Sequence, residues 1–400
     1  MAQKRKKTGG ASLSGTNLER AGDHNQRVTL QAIRLGEPIT RTKLGTITGL
    51  TPPAVANITK RLLDDGLIVE AGRLQGHRGL PATLLAVNPD GCCAVGVNID
   101  RDQITAALVD FSGRVREQVT QRIDFPLPAD VTRFFDGALT KLKSGWDRET
   151  MNLIGVGIAM PDDLGGVDLP HRPRHYDVWT TTDVKRLFSN AIDAPIYTEN
   201  DAAAAALAEL QFGAGTRKPS FFYILIAWGL GGSLVVEGEC FRGADGRSGE
   251  IGFLPVRSSS GKTETLQDLV SLCALHERLA EHHLKVLDSD ALAALPASAQ
   301  SIVDQWIEDA ADALIAPLIN ISCVINPQAV FIGGRLPTEL IDRLVTALNQ
   351  RLAEAKGFPT LSPVLRAETS ASAPVIGAAL LPMMDLLLPS QSTLRKASDH

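Results

Sequence analysis

The chain has 400 residues, 44% of them apolar and 21% charged, with a formal net charge of −5. That is the make-up of a water-soluble globular protein too long for one ordinary core, so two or three domains are expected. No apolar run approaches a membrane span and the N-terminus lacks the apolar core of a signal peptide, so a membrane role is not expected and the expected location is the cytoplasm. The five cysteines (Cys92, Cys93, Cys240, Cys273, Cys323) have no Cys-x-x-Cys spacing, which argues for reduced thiols and against a disulfide framework or a cysteine zinc site. The charge is uneven. Met1 to Pro81 carries 13 Lys/Arg against 6 Asp/Glu, a balance of +7 that leaves −12 for the remainder. A basic module on an acidic body is the profile of a polyanion-binding head joined to a separate sensor.

Residues 1–22 are polar, basic and rich in Gly and Ser, the composition of a disordered tail. From Asp23 to Leu35, Val28, Leu30, Ile33 and Leu35 supply the inner face of an amphipathic helix. Thr40 to Leu63 then reads as two short helices joined by a tight turn. Thr40 caps the first, with Leu44 and Ile47 as its buried face, and Gly49 supplies the positive φ of the turn. Thr51 is the N-cap of the second helix and Pro52 its first residue, while Val55, Ile58 and Leu62 face inward. Pro53, Ala54, Asn57, Lys60 and Arg61 remain on or beside the outer face. Such a face suits a DNA major groove, where an Asn can read adenine and Lys or Arg can hold phosphate. Arg41, Thr51 and Pro52 complete the candidate contacts of the helix pair. Asp64-Asp65-Gly66 breaks the helix, Leu67 to Glu70 reads as a strand, Gly72 to Gly79 as a loop and Ala82 to Val87 as the return strand. Three helices and a ribbon make a winged helix-turn-helix over 23–88. In its wing, Arg73, His77 and Arg78 can reach backbone or minor groove.

Asn88-Pro89-Asp90-Gly91 is a turn cluster and the expected boundary. Beyond it, Ala94 to Ile99, Ile104 to Asp110 and a third run form an antiparallel meander. A helix over 131–142, a buried strand over 153–159 ending in Met160-Pro161-Asp162, a loop over 168–179, a helix over 182–192 and a short strand over 195–197 follow. An Ala-rich helix over 202–210 opens a second lobe. It continues with an apolar strand over 220–227, the turn Trp228-Gly229-Leu230-Gly231-Gly232, a partner strand over 233–239, and helices over 266–284 and 301–325. A strand over 329–332 ends in Gly333-Gly334, and helices over 340–356 and 376–388 close the chain. His276 and His283 share one helix face and, without a third ligand, read as solvated surface rather than a metal site.

Five motifs in this order resemble the ROK family (repressors, open reading frames and kinases). They are Gly155-Val156-Gly157-Ile158-Ala159-Met160-Pro161, Thr198-Glu199-Asn200-Asp201-Ala202, Ala227-Trp228-Gly229-Leu230-Gly231-Gly232, Gly249-Glu250-Ile251-Gly252 and Gly333-Gly334. The resemblance spans about Asn25 to Leu387, and the winged head marks the repressor branch. It implies an α/β body with a two-lobed actin-like ATPase fold behind the winged helix-turn-helix. The expected segments are a tail over 1–22, the head over 23–88, lobe one over 91–198 and lobe two over 199–375. A C-terminal helix over 376–389 packs back on the body, and 390–400 is a tail.

Kinases of this family bind sugar and nucleotide in the cleft, and the Asp of the Glu-Asn-Asp motif is the base. Phosphoryl transfer also needs backbone amides and small residues that cradle phosphates. Where those kinases carry an Asp-x-Gly-Gly-Thr loop, this chain has Asn98-Ile99-Asp100-Arg101-Asp102, whose carboxylates would repel a triphosphate. Ala227-Trp228 replaces the Gly-Thr of the second phosphate turn. No catalytic residue, kinase activity or cofactor is therefore expected. The family's structural zinc uses a His after Gly-Glu-Ile-Gly and downstream cysteines; here Phe253 takes the His position and the cysteines are missing, so no metal is expected. The resemblance carries over a sugar site at Asn200, Asp201 and Glu250, with Gln267 in place of a usual Glu and His175 in the lining loop, alongside Trp179. Carboxylates and amides suit vicinal hydroxyls, while Asn200 and Asp201 suit helix capping equally well.

The reading that follows is a non-enzymatic, ligand-responsive transcriptional regulator of carbohydrate genes, most simply a repressor. Its partners are a double-stranded, pseudo-palindromic DNA operator, a small-molecule sugar effector and a second copy in a homodimer or higher homo-oligomer. Two alternatives stand beside it: a regulator whose degenerate body only dimerises or binds a protein partner, and a sugar kinase with a regulatory head.

Overall fold

The computed structural model describes residues 18–74, 81–145, 151–167, 172–257, 261, 263–284, 286, 289–369 and 371–389. The chain divides into two compact units, Met1–Gly91 together with Met383–His400, and Cys92–Pro382.

In the first unit, helix α1 (Leu18–Gly36) leads through a two-residue strand β1 (Ile39–Thr40) to α2 (Arg41–Thr48) and α3 (Pro52–Asp64). The antiparallel hairpin β2 (Ile68–Leu74) and β3 (Ala82–Val87) follows. Thr40 caps α2, its hydroxyl accepting from the Lys43 amide at 3.3 Å. Gly49 ends that helix at φ 70°, and its amide donates to the Gly45 carbonyl at 3.0 Å. This left-handed residue turns the chain within three positions of the start of α3. Thr51 stands at the N-cap of α3 without a side-chain cap bond. The unit closes over Leu30, Ile33, Leu44, Val55, Leu62, Ile68 and Leu85, and β1 adds to the ribbon, giving the order β1-β3-β2. Arg27 Nη1 donates to the carbonyls of Asp385 (2.5 Å) and Leu388 (3.3 Å), tying α1 to the chain's last described residues.

Several expectations need correction. Helix α1 starts at Leu18, inside the segment expected to be disordered, and β2 runs to Leu74, inside the expected loop. Leu35 and Ile47 are each 54% exposed, whereas Thr29 and Thr59 are buried. Those hydroxyls donate to the carbonyls of Asn25 (2.7 Å) and Ala56 (3.2 Å), so each meets its need within its own helix and can sit in the core. Ile47 belongs to the last turn of a helix of only eight residues, where spacing alone cannot tell the covered edge of an apolar stripe from its open edge.

The second unit repeats one topology. Its first sheet starts with the antiparallel meander β4 (Cys92–Ile99), β5 (Gln103–Asp110) and β6 (Val115–Arg122). After α4 (Pro128–Leu142), β7 (Asn152–Met160) lies parallel to β4; after the single turn α5 (Arg186–Ser189), β8 (Ile196–Asn200) lies parallel to β7. The order is β6-β5-β4-β7-β8. Helix α6 (Asp201–Phe212) precedes the second meander, β9 (Phe221–Ile226), β10 (Leu230–Val236) and β11 (Glu239–Phe241). A ribbon of β12 (Pro255–Arg257) and β13 (Thr263–Thr265) comes next, then α7 (Gln267–Val270), α8 (Leu272–Glu281), α9 (Ser289–Ala293) and α10 (Ala297–Val324). Strand β14 (Ala329–Gly334) pairs parallel with β9, and after α11 (Thr338–Glu354), β15 (Val364–Arg366) pairs parallel with β14. Its order, β11-β10-β9-β14-β15, is that of the first sheet with new strands. The closing helix is α12 (Ala373–Leu386).

Three expectations in this unit give way. The helix expected over 182–192 shrinks to α5, and the loop expected over 168–179 contains a 3₁₀ stretch, Arg174–Thr181. The single helix expected over 266–284 is two, because Ser271 interrupts it and restarts α8 by accepting from the Ala274 amide at 3.1 Å. Helix α8 ends at Glu281, so His283, at φ 59°, lies beyond it rather than on its face.

Helix α12 lies directly on the first sheet. A Cβ on Gly157 would overlap the Ala378 carbonyl oxygen, a backbone-to-backbone approach that only glycine permits. Gly157→Ala should therefore lower the stability of the body by about 2–3 kcal/mol; a urea titration followed by circular dichroism measures it, and an unchanged midpoint would show that the contact relaxes freely.

Candidate nucleic-acid interface and ligand site

Helix α3 presents a polar, cationic outer surface. Thr51, Pro52, Pro53, Asn57, Lys60 and Arg61 are exposed and Ala54 is half-buried, while Val55, Thr59 and Leu62 hold the opposite face in the core. Helical periodicity sorts these side chains: 55, 59 and 62 share the inner stripe, and 53, 57, 60 and 61 are turned away from it. Arg41 is half-buried at the start of α2, where its Nε donates to the Thr59 hydroxyl at 2.9 Å. It thus links the two helices, and its terminal nitrogens are left for another partner. Arg73 is exposed on β2, opposite Thr83. His77 and Arg78 lie outside the described residues.

In the body, the sheet ends bring acids together. Asn200 ends β8 and caps α6, its Oδ1 accepting from the Ala203 amide at 3.1 Å. Capping is therefore a real role for this residue, but it uses only the oxygen. The Nδ2 donates to Asp162 Oδ2 at 3.1 Å. Asp162 follows the end of β7, and its carboxyl in turn hydrogen-bonds Glu250, so one of the two acids holds the proton between them. Asp201 opens α6, its Oδ1 accepting from the Ala202 amide at 2.8 Å. Burial, with the Asp100 carboxylate close by, pushes Asp201 up to about 7. Burial and the neighbouring Asp162 push Glu250 up to about 7, and burial also raises Asp162. Asp162 and Asn200 line a cavity of about 760 Å³ whose wall includes Trp179, Lys185 and Arg242.

The structure brings Asn200, Asp201 and Glu250 into one cluster and adds Asp162, which directly follows the Gly155–Pro161 motif and which the resemblance gives no role. Its position directly after Met160-Pro161 at a strand end was the available signal. Gln267 is buried: its Cβ lies against Gly252, and its Oε1 approaches Gly229 beside the Arg101 guanidinium. His175 is exposed on the 3₁₀ stretch. Trp179 is buried, its Nε1 donating to the Pro126 carbonyl at 2.9 Å.

The phosphate-loop segment is also rebuilt. Arg335, directly after Gly333-Gly334, donates from Nη1 to Asp100 Oδ2 (2.9 Å) and Asp102 Oδ1 (2.7 Å) and from Nη2 to Asp102 Oδ2 (2.6 Å). All three side chains are at most 15% exposed. The expectation that the two carboxylates repel phosphate is thereby corrected: the acids carry their own cation. A Cβ on Gly229 would overlap Arg101 Nη1, so the Arg101 side chain rests on the second glycine turn. His276 is half-buried, edge-on to Trp228 at 5.3 Å between ring centroids, and burial lowers its pKa, so it is not the solvated surface residue expected.

A family model described as the ROK family matches residues 94–384. The chain is 28% identical over 362 residues to the uncharacterized protein y4fQ of Sinorhizobium fredii, covering 90% of each chain. It is 24% identical over 354 residues to the xylose repressor of Caldicellulosiruptor bescii, covering 82% of this chain and 88% of that protein. Among solved structures, a ROK family transcriptional regulator described as a homologue of Escherichia coli MLC protein superposes with a TM-score of 0.67 at 22% identity, covering 92% of this chain and 98% of that one.

The raised acids make stability depend on pH with a definite sign. Free aspartate titrates near 3.9 (about 4), and Asp201 in the fold near 7. Between those values the unfolded chain releases a proton that the fold retains, so stability falls as pH rises through this window and levels off above it. Asp201→Asn should flatten that slope and raise stability near pH 8; urea midpoints between pH 4 and 8 test it, and parallel curves for the two proteins would count against a buried, proton-holding Asp201.

Proposed function

The chain belongs to the ROK family, and on that premise we propose that it is a DNA-binding transcriptional regulator, acting as a repressor of carbohydrate uptake or metabolism genes. Its operator affinity is set by a sugar or sugar derivative held at Asp162, Asn200, Asp201 and Glu250. The observation that carries this reading is the exposed Asn57, Lys60 and Arg61 face of α3 in a winged helix-turn-helix, on the same chain as a ROK body. A relative named as a xylose repressor, aligned over most of both chains, supports it. The acids of the cluster can accept from sugar hydroxyls, and a protonated member can donate, which fits vicinal diols.

The body acts without catalysis in this reading. An ion-paired Asp100–Arg335–Asp102 group and an indole at Trp228 stand where family kinases keep open glycine loops for phosphate, and phosphoryl transfer depends on that cradle. The protein works as a homodimer or larger homo-oligomer. Its recognition helices then meet half-sites about 34 Å apart, or a multiple of that, on a pseudo-palindromic operator.

The deciding experiment is a gel-shift titration of the full chain on DNA upstream of its own gene, with and without a panel of neutral sugars. The expected result is a complex that one sugar releases; no complex with any fragment would overturn the reading. In the same assay Asn57→Ala should reduce the preference for operator over random DNA by about tenfold or more. Arg61→Ala should weaken both equally and lower the salt slope by about one phosphate contact. Asp201→Ala should keep operator binding but lose the sugar response, and a response that persisted would place the effector elsewhere.

A further inference from the structure

Arg101 is 9% exposed, yet its guanidinium makes no hydrogen bond or ion pair with any described residue, and its Nε is fully enclosed without a partner. This is unusual for arginine, which carries five N–H donors and is rarely buried unless matched. The nearest acids are otherwise engaged: Asp100 and Asp102 are held by Arg335, and Asp201 accepts from the Ala202 amide. A second donor close by is also unmet, since the hydroxyl of fully buried Tyr176, within electrostatic reach of Arg101, has no partner.

Arg101 lines a cavity of about 900 Å³. Arg122 and Asp124 stand at this cavity too, with Phe125, Trp228 and His276 among its ring-bearing walls. Burial keeps His276 toward its neutral form, so it offers a hydrogen bond rather than a second buried charge. The cavity therefore joins an unmatched guanidinium to a wall that is part aromatic and part aliphatic, and Arg122 balances the single lining acid, Asp124.

We propose that this cavity is a second small-molecule site, separate from the Asp162–Asn200–Asp201–Glu250 cluster, that takes an organic anion whose phosphate or carboxylate oxygens pair with Arg101 and whose ring or hydrocarbon body packs on Trp228 and Phe125. A guanidinium meets either oxyanion with two parallel N–H···O bonds, so phosphate and carboxylate share the recognition chemistry. Gly229 fits the same scheme, because a Cβ there would meet Arg101 Nη1 and the glycine leaves room for the guanidinium to rest on the turn. The proposal does not depend on DNA or sugar binding.

Isothermal titration of the full chain, without DNA or sugar and at fixed ionic strength, tests it with three probes: phenyl phosphate, benzoate and inorganic phosphate. One of the two ring-bearing anions should bind at least about tenfold more tightly than inorganic phosphate, and which one does so tells phosphate from carboxylate as the head group. Arg101→Gln should lose about tenfold or more of that affinity and Arg101→Lys should recover part of it. If Arg101→Gln fails to fold, by circular dichroism, exposed Arg122→Gln serves instead and should weaken the same probe by a few-fold. Binding that is unchanged in these variants, or no binding of either ring-bearing anion by the wild-type chain, overturns the proposal.

Discussion

The paired acids Asp100 and Asp102 with Arg335 are the constraint around which the body is arranged. Asp100 and Asp102 sit in the turn between β4 and β5, whereas Arg335 leaves the end of β14 in the other sheet. Two buried carboxylates need a matched cation, because removing one partner of a buried pair costs several kcal/mol, about 3–5. Burial alone pushes Asp100 up, and Arg335 pulls it back toward the charged form. The two sheets are thus fastened at one corner by a charge requirement rather than by apolar area. The same arrangement commits Arg335 to the acids and leaves Arg101, between them in sequence, with none.

Much of the fold was legible because it rests on local chemistry. The strand Ala82–Val87, the cap at Thr40 and the left-handed Gly49 follow from alternation, a hydroxyl before a helix and a glycine after one. What failed was information that sequence spacing does not contain. Leu35 and Ile47 have helical spacing but lie at stripe edges left more than half exposed among the described residues, whereas Thr29 and Thr59 are buried because their hydroxyls bond to their own helices. The break at Ser271 looks like any serine in a helical run until its hydroxyl is seen to cap α8.

The candidate site was legible in part, for a similar reason. Asn200, Asp201 and Glu250 lie in motifs that resemblance carries over. Asp162 is made a member of the cluster by a hydrogen bond from a residue 38 positions away and by a shared proton with Glu250. The sequence shows two acids flanking Arg101; only the third dimension gives those acids to Arg335. Capping and cluster membership are also not exclusive, since Asn200 uses its oxygen for the helix and its nitrogen for the acid.

The placement of the cluster bears on how a kinase-like body can serve as a sensor. A ligand changes an equilibrium only by the difference in its affinity for the two states. Asp162 and Asn200 are positioned by the ends of β7 and β8 in the first sheet, whereas Asp201 opens α6 and Glu250 follows the β10–β11 meander of the second. A molecule that bonds to both groups reads the spacing of the two sheets, and so it binds one spacing better than another. Neutral sugars carry the extra advantage that they need not displace a proton from the Asp162–Glu250 pair; a cationic ligand would, and its affinity would rise with pH as that proton is lost. A kinase uses the same closure to exclude water from phosphoryl transfer. In a sensor the same closure couples ligand binding to the spacing of the two sheets, and that coupling requires no chemical step.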